Sequence, residues 1–169
     1  MWLDADSALR HLDRLQAAAL ALCGNRPDAE DLVQETYMTL LRRPRRLRGN
    51  TELGYLMTML RNRFIDDRRT AARRQSVPLS EIDEPADPRA GLRPDNAAEH
   101  RGVLECVHAL ESPFRETVVA VDVLGLSYKE AAGALGVPVG TVMSRLARGR
   151  ERVIAMLEPD RAAGPVAYA

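Results

Sequence analysis

Wherever apolar residues recur in this chain they recur at helical spacing, and no segment alternates apolar and polar residues as a half-buried strand would. That pattern restricts the fold to helices packed on helices. Leu9, Leu15, Ala18, Leu20 and Leu22 fall in a first helix, which Gly24-Asn25 can stop because glycine enters the left-handed conformation without strain. Asp28 is placed to cap a second helix, whose Val33, Tyr37, Leu40 and Leu41 form one stripe before Pro44 ends it. After Gly49-Asn50-Thr51 comes a long helix with Leu56, Leu60 and Phe64 inward and Met59 beside them.

The periodicity stops from Gln75 to about Asn96. There Pro78, Pro85, Pro88, Gly91 and Pro94 interrupt an acidic stretch that reads as a flexible linker. A second helical unit follows. Val103, Val107 and Leu110 mark its first helix, and Ser112-Pro113 suits the N-cap and first turn of the next. Ser127 and Glu130 have capping-box spacing. That helix breaks at Gly136-Val137-Pro138, and a last one runs from about Val139 to Leu157 with Val142, Leu146, Val153 and Leu157 inward. The expected architecture is all-α. Two small helical domains span 1–75 and 98–157, joined by a flexible linker at 76–97 and followed by a disordered tail at 158–169. With only 4% aromatic residues, the cores must be built from Leu, Val, Ala and Met.

The formal charge is zero, but its distribution is uneven. Residues 42–74 hold eleven basic and three acidic side chains, whereas 1–35 hold three basic and seven acidic. A neutral total thus hides one strongly basic block, a candidate phosphate-contacting surface. No apolar run approaches the roughly 18–20 residues of a membrane span. The start, Met-Trp-Leu-Asp-Ala-Asp, lacks the basic and apolar segments of a secretion signal, so the chain is expected in the cytoplasm. Cys23 and Cys106 lie far apart in helical patterns and read as buried thiols. His100, Cys106 and His108 fall short of the four ligands a zinc site usually needs, so no metal is expected. Without a phosphate-cradling glycine loop or a recognisable nucleophile and base, neither a cofactor nor enzymatic chemistry is expected.

The clearest constellation is the last pair of helices. A short capped helix, a glycine-containing turn and an Arg-rich second helix describe a helix-turn-helix. Thr141, Arg145, Arg148 and Arg152 recur opposite the apolar stripe, with Ser144 among them. Arg can bond guanine bidentately, and Ser or Thr can take base or phosphate. The N-terminal residues of a recognition helix lie nearest the bases. Thr141, Ser144 and Arg145 are therefore the base readers, and Arg152 meets phosphate or solvent. On the long helix of the first domain, Asn62, Asp66, Arg69 and Arg73 form an outward face flanked by Arg61, Arg63, Arg68 and Arg74. Mixing Asn and Asp into a basic face suggests that base edges are read there too. The polar loop Arg48-Gly49-Asn50-Thr51-Glu52 could accept an unstacked base. Asp31, Gln34, Glu35 and Met38 lie away from the stripe of the second helix, a face that solvation alone would explain.

Two stretches resemble one family. Asp28-Ala29-Glu30-Asp31-Leu32-Val33-Gln34-Glu35-Thr36, with Leu60-Arg61-Asn62 and Asp66, resembles region two of the extracytoplasmic-function (ECF) sigma factors of bacterial RNA polymerase. Gly125-Leu126-Ser127-Tyr128-Lys129-Glu130-Ala131-Ala132 and Val137-Pro138-Val139-Gly140-Thr141-Val142-Met143-Ser144-Arg145-Leu146 resemble region four. The resemblance covers about 8–74 and 100–157. It implies that Asp31, Leu32, Gln34 and Glu35 contact the clamp coiled coil of core polymerase. It implies further that Asn50, Thr51, Arg61, Asn62, Asp66 and Arg69 open and read the minus-ten element. Thr141, Ser144, Arg145 and Arg148 would then meet the minus-thirty-five element. An anti-sigma factor is a further implied partner. The loop before the long helix is one residue short of the family's usual run. Tyr55 stands where the family commonly has Trp, and Met143 where Lys or Arg is frequent. Two other readings remain: a stand-alone helix-turn-helix regulator, which leaves the first domain without a role, and a sigma-like decoy, which would not need its DNA-facing arginines.

Overall fold

A computed structural model describes residues 2–3, 5–42, 45–47, 51–75 and 97–158 of the 169-residue chain. Among them the helices are α1 (Ala5–Leu9), α2 (Leu12–Cys23), α3 (Arg26–Arg42), α4 (Glu52–Gln75), α5 (Ala97–Ala109), α6 (Ser112–Val118), α7 (Tyr128–Leu135) and α8 (Val139–Leu157). The all-helical reading holds, with one small addition. Trp2–Leu3 (β1) pairs antiparallel with Arg45–Arg46 (β2), Leu3 opposite Arg45. Two residues per strand are too few for alternation to register in sequence, yet Leu3 is fully buried there. The greater part of the expected linker at 76–97, and the tail beyond Glu158, lie outside the described residues.

The helix ends follow local chemistry, with corrections. The first expected helix is broken: α1 stops at Leu9, His11 N–H bonds the Ala8 carbonyl, and α2 begins at Leu12. Leu9, expected inside, is largely exposed because it precedes that break. Gly24 ends α2 in the left-handed conformation (φ 80°), as its sequence position suggested. The cap of α3 is Asn25 and not Asp28: Asn25 Oδ1 accepts the Asp28 N–H at 3.0 Å, and Asn25 Nδ2 donates to the Asp28 carboxylate at 2.8 Å. Glu111, extended at ψ 147°, precedes α6 in place of Ser112, whose hydroxyl turns to Glu116 instead. After α6 the chain continues through one wider π turn, Val119–Val123, in which the Leu124 N–H reaches the Val119 carbonyl. The expected capping box is present. Glu130 N–H donates to Ser127 Oγ at 3.3 Å, and Ser127 N–H donates to Glu130 Oε2 at 2.8 Å.

The apolar stripes mostly point inward. Leu15, Leu22, Leu40, Leu56, Met57, Leu60, Leu110, Leu124 and Leu146 are all buried to within 2% of complete. Leu41 and Leu157, which belong to the same stripes by spacing, are exposed. Periodicity identifies a helix face, but only packing decides how much of that face is covered.

The two helical domains also contact each other. Helix α2 packs on α3 and α4 of its own half and also on α5, α6 and the π turn, while α4 packs on α7. The buried apolar side chains of both halves form one continuous cluster. Ala18, Ala19 and Ala21 on α2 are buried, and their small side chains allow neighbouring helices to approach closely.

Candidate nucleic-acid interface

The C-terminal helix pair, α7 and α8, is joined by a tight turn. Gly136 (φ 68°) terminates α7, and the Pro138 carbonyl accepts the Thr141 and Val142 amides at 3.0 and 3.1 Å to start α8. Along α8, Val142, Leu146, Gly149 and Val153 are buried. Opposite them Ser144 and Arg148 are exposed, with Thr141 and Arg145 partly so. Ser144 donates its hydroxyl proton to the Thr141 carbonyl at 3.1 Å, which leaves its oxygen free to accept.

Two devices hold this helix in place. Gly149 permits a close crossing with α6, since a Cβ there would lie 2.7 Å from Val118 Cγ2. Arg150 grips Asp122 of the π turn with two bonds of 3.0 and 2.6 Å, a planar fork on a carboxylate. Neither Gly149 nor Asp122 stands out in the sequence, because each matters only through a neighbour distant along the chain. Arg152, expected at phosphate or solvent, is exposed and also contacts its own domain. It lies 4.1 Å over the Phe114 ring and 3.5 Å from the solvent-facing Glu111 carboxylate.

On α4 the outward set is divided. Asn62, Asp66 and Arg69 are exposed, and the Asp66–Arg69 approach of 4.0 Å is a solvated contact of little energetic weight. Arg61, grouped with them by sequence, points inward. Its side chain is 25% exposed and its Nε lies 2.5 Å from Glu116 Oε2 on α6. Thr51 occupies the start of α4, where its Oγ1 accepts the Gly54 N–H at 3.2 Å. Asn50 lies outside the described residues.

On α3, Asp31, Gln34 and Glu35 are exposed, whereas Leu32 is only 3% exposed and belongs to the core. Asp31 and Glu35 border an open cleft of about 780 Å³, whose other walls include Arg63, Asp67 and Arg68 on α4 and His108 and Arg115 from the second half. Burial, reinforced by the Asp28 and Asp67 carboxylates, pushes the Cys23 thiol up to about 12, so it stays protonated. Among the described residues no cluster of His, Cys, Asp and Glu is placed to hold a metal ion. Nor, among them, is any helix long and apolar enough to cross a membrane.

Comparison with known proteins agrees with this geometry. Residues 8–74 match sigma-70 region 2, and residues 100–153 match sigma-70 region 4. The chain is 35% identical over 147 residues to the ECF RNA polymerase sigma factor SigE of Mycolicibacterium smegmatis, covering 85% of this chain and 57% of that protein. It is 34% identical over 163 residues to the sigma factor EcfG of Rhodopseudomonas palustris, covering 93% and 86%. A solved structure of the sigma factor RpoE of Bartonella quintana, in complex with the anti-sigma factor NepR, superposes with a TM-score of 0.71 at 28% identity. The superposition covers 92% of this chain and 97% of that one. With both regions in order and relatives at 34–35% identity, the chain belongs to the ECF sigma factors, the non-enzymatic RNA polymerase subunits that initiate transcription.

Proposed function

We propose that this chain binds core RNA polymerase through the α3 face and reads a two-part promoter through α4 and α8, in the cytoplasm. Asp31, Gln34 and Glu35 supply the exposed contact to the polymerase clamp, with Leu32 beneath them anchoring α3 in the core. Thr51, Arg61, Asn62, Asp66 and Arg69, with Asn50 in the preceding loop, open and read the minus-ten element. Thr141, Ser144, Arg145 and Arg148 read the minus-thirty-five element. The energy for opening DNA comes from binding. The observation that carries the reading is the polar, open face of α8 set opposite a stripe of buried residues and pinned by the Arg150–Asp122 fork. An anti-sigma factor is a proposed partner, supported by the likeness to RpoE, which was solved with NepR.

The test is reconstituted transcription with purified chain and sigma-free core polymerase on fragmented genomic DNA. Discrete start sites that share two upstream motifs are expected. Core binding without any starts would indicate a decoy. DNA binding without core binding would make the chain a free-standing regulator and overturn the reading.

A further inference from the structure

The outer face of the first half of α8 is divided along its length. With about 3.6 residues per turn, Thr141, Arg145 and Arg148 run down one flank and Val139, Met143 and Ala147 down the other, with Gly140 and Ser144 between them. The first flank carries hydrogen-bond donors and positive charge. The second carries neither. Met143 is 53% exposed and Val139, one turn before it, 41% exposed, so two large apolar side chains face solvent beside the base-reading set. Ala147 continues that flank and is exposed as well. Nothing lies within 4 Å of where a Cβ would stand at Gly140, so the strip between the flanks is open. No acidic side chain occurs from Val139 to Arg150, and the first carboxylate on the helix is Glu151. A polyanion can therefore approach both flanks.

A major groove offers an apolar side chain one partner. Every group that the bases display there is a hydrogen-bond donor or acceptor, except the C5-methyl of thymine. A thioether laid on the cytosine amino group, or on the N7 edge of a purine, would strip it of water without replacing the lost bond. On a methyl group nothing polar is lost. The unbranched, polarisable methionine side chain can settle there without a fixed geometry. Its place along the helix agrees, because the N-terminal half of a recognition helix lies nearest the bases.

We propose that Met143, flanked by Val139, is a specificity-determining contact that reads the methyl group of one thymine in the upstream promoter element. The inference rests on the promoter-reading role of α8 given above and deepens it. The polar flank selects by hydrogen bonding and the apolar flank selects by burying a methyl group, so one helix reads two kinds of chemistry.

The experiment titrates holoenzyme, reconstituted from the full-length chain and core polymerase, on duplexes of the mapped promoter. Each upstream thymine, on either strand, is replaced singly by deoxyuridine, at one fixed salt concentration. Deoxyuridine keeps the base pair and removes only the methyl group. One position should lose about three- to five-fold in affinity, as expected for a single buried methyl. Met143→Ala should abolish that preference for thymine over deoxyuridine, and Met143→Leu should retain it. Met143 lies outside the core, so neither replacement opens a cavity. An upstream element indifferent to every replacement, or a sensitive thymine whose preference survives in Met143→Ala, would overturn the inference and leave promoter binding by α8 standing. Weakened core affinity in Met143→Ala with the thymine preference unchanged would turn this flank towards the polymerase, and would overturn it too. A chain that cannot bind core would overturn the sigma-factor reading, while the same scan on duplexes the chain binds by itself would still decide the Met143 contact. Binding to no duplex would overturn both.

Discussion

Replacing Gly149 by alanine sets two effects of known size against each other. Glycine within a helix is less favourable than alanine by about 1 kcal/mol, so propensity alone forecasts a more stable protein. Packing forecasts the reverse. A Cβ at 149 would lie 2.7 Å from Val118 Cγ2 and 3.6 Å from both Phe114 Cβ and the Phe114 carbonyl oxygen. Val118 is β-branched and 4% exposed, so its methyl has no other rotamer to take up, and α6 must move away from α8. Overpacking of this kind costs about 1–3 kcal/mol. The net expectation is a loss of about 1 kcal/mol, a fall in Tm of about 2–4 °C for a chain of this size. Gly133 on α7 is the internal control. A Cβ there meets nothing within 4 Å, so Gly133→Ala should gain about 0.5–1 kcal/mol and melt higher. Thermal melts followed by far-UV circular dichroism compare the two variants with the parent. If Gly149→Ala melts at or above wild type, the close α6–α8 crossing is wrong and the placement of the reading helix falls with it.

Arg145→Ala should cost about 1–3 kcal/mol at one upstream base position and relax the preference there, measured by binding to a panel of single-base variants of the mapped promoter. Equal loss at every sequence would make it a phosphate contact. Asp31→Lys with Glu35→Lys should weaken core polymerase binding in a pull-down titration while leaving DNA binding by α8 intact; unchanged core affinity would remove the α3 face from the interface. Acid should also loosen the fold in a defined window. Hydrogen bonds from His11 and Arg10 hold the Glu52 carboxyl below the usual range, and bonds from Ser127 do the same for Glu130. A carboxyl depressed in the folded state contributes stability above its unfolded pKa, about 4.3, and loses it as pH falls through the folded value. Urea midpoints should therefore decline below about pH 4.5, with a shallower decline in Glu130→Gln. Equal slopes in parent and variant would show that the capping box carries none of the acid sensitivity.

Most of the helices, the capping box of α7, the αL stop at Gly24, the break at Gly136 and the polar face of α8 were legible in the sequence. They depend on residues at most a few positions apart, and periods, caps and turns are local chemistry. The same locality explains the errors at helix ends. Asn25 and Asp28 are both competent caps, and Leu41 and Leu157 continue apolar stripes whether or not anything covers them. Which groups would be brought together across the chain was decided only by tertiary structure. Arg61 and Asn62 are adjacent in sequence, yet one turns inward to a carboxylate 55 positions away while the other faces solvent. Gly149, Asp122, Glu116 and His108 owe their importance to Val118, Arg150, Arg61 and Leu22, and no spacing rule links such pairs. The proline-rich composition of 76–96 is read directly from the residues, but the docking of one half on the other depends on the complementarity of two assembled surfaces. Those surfaces exist only after each set of helices has packed.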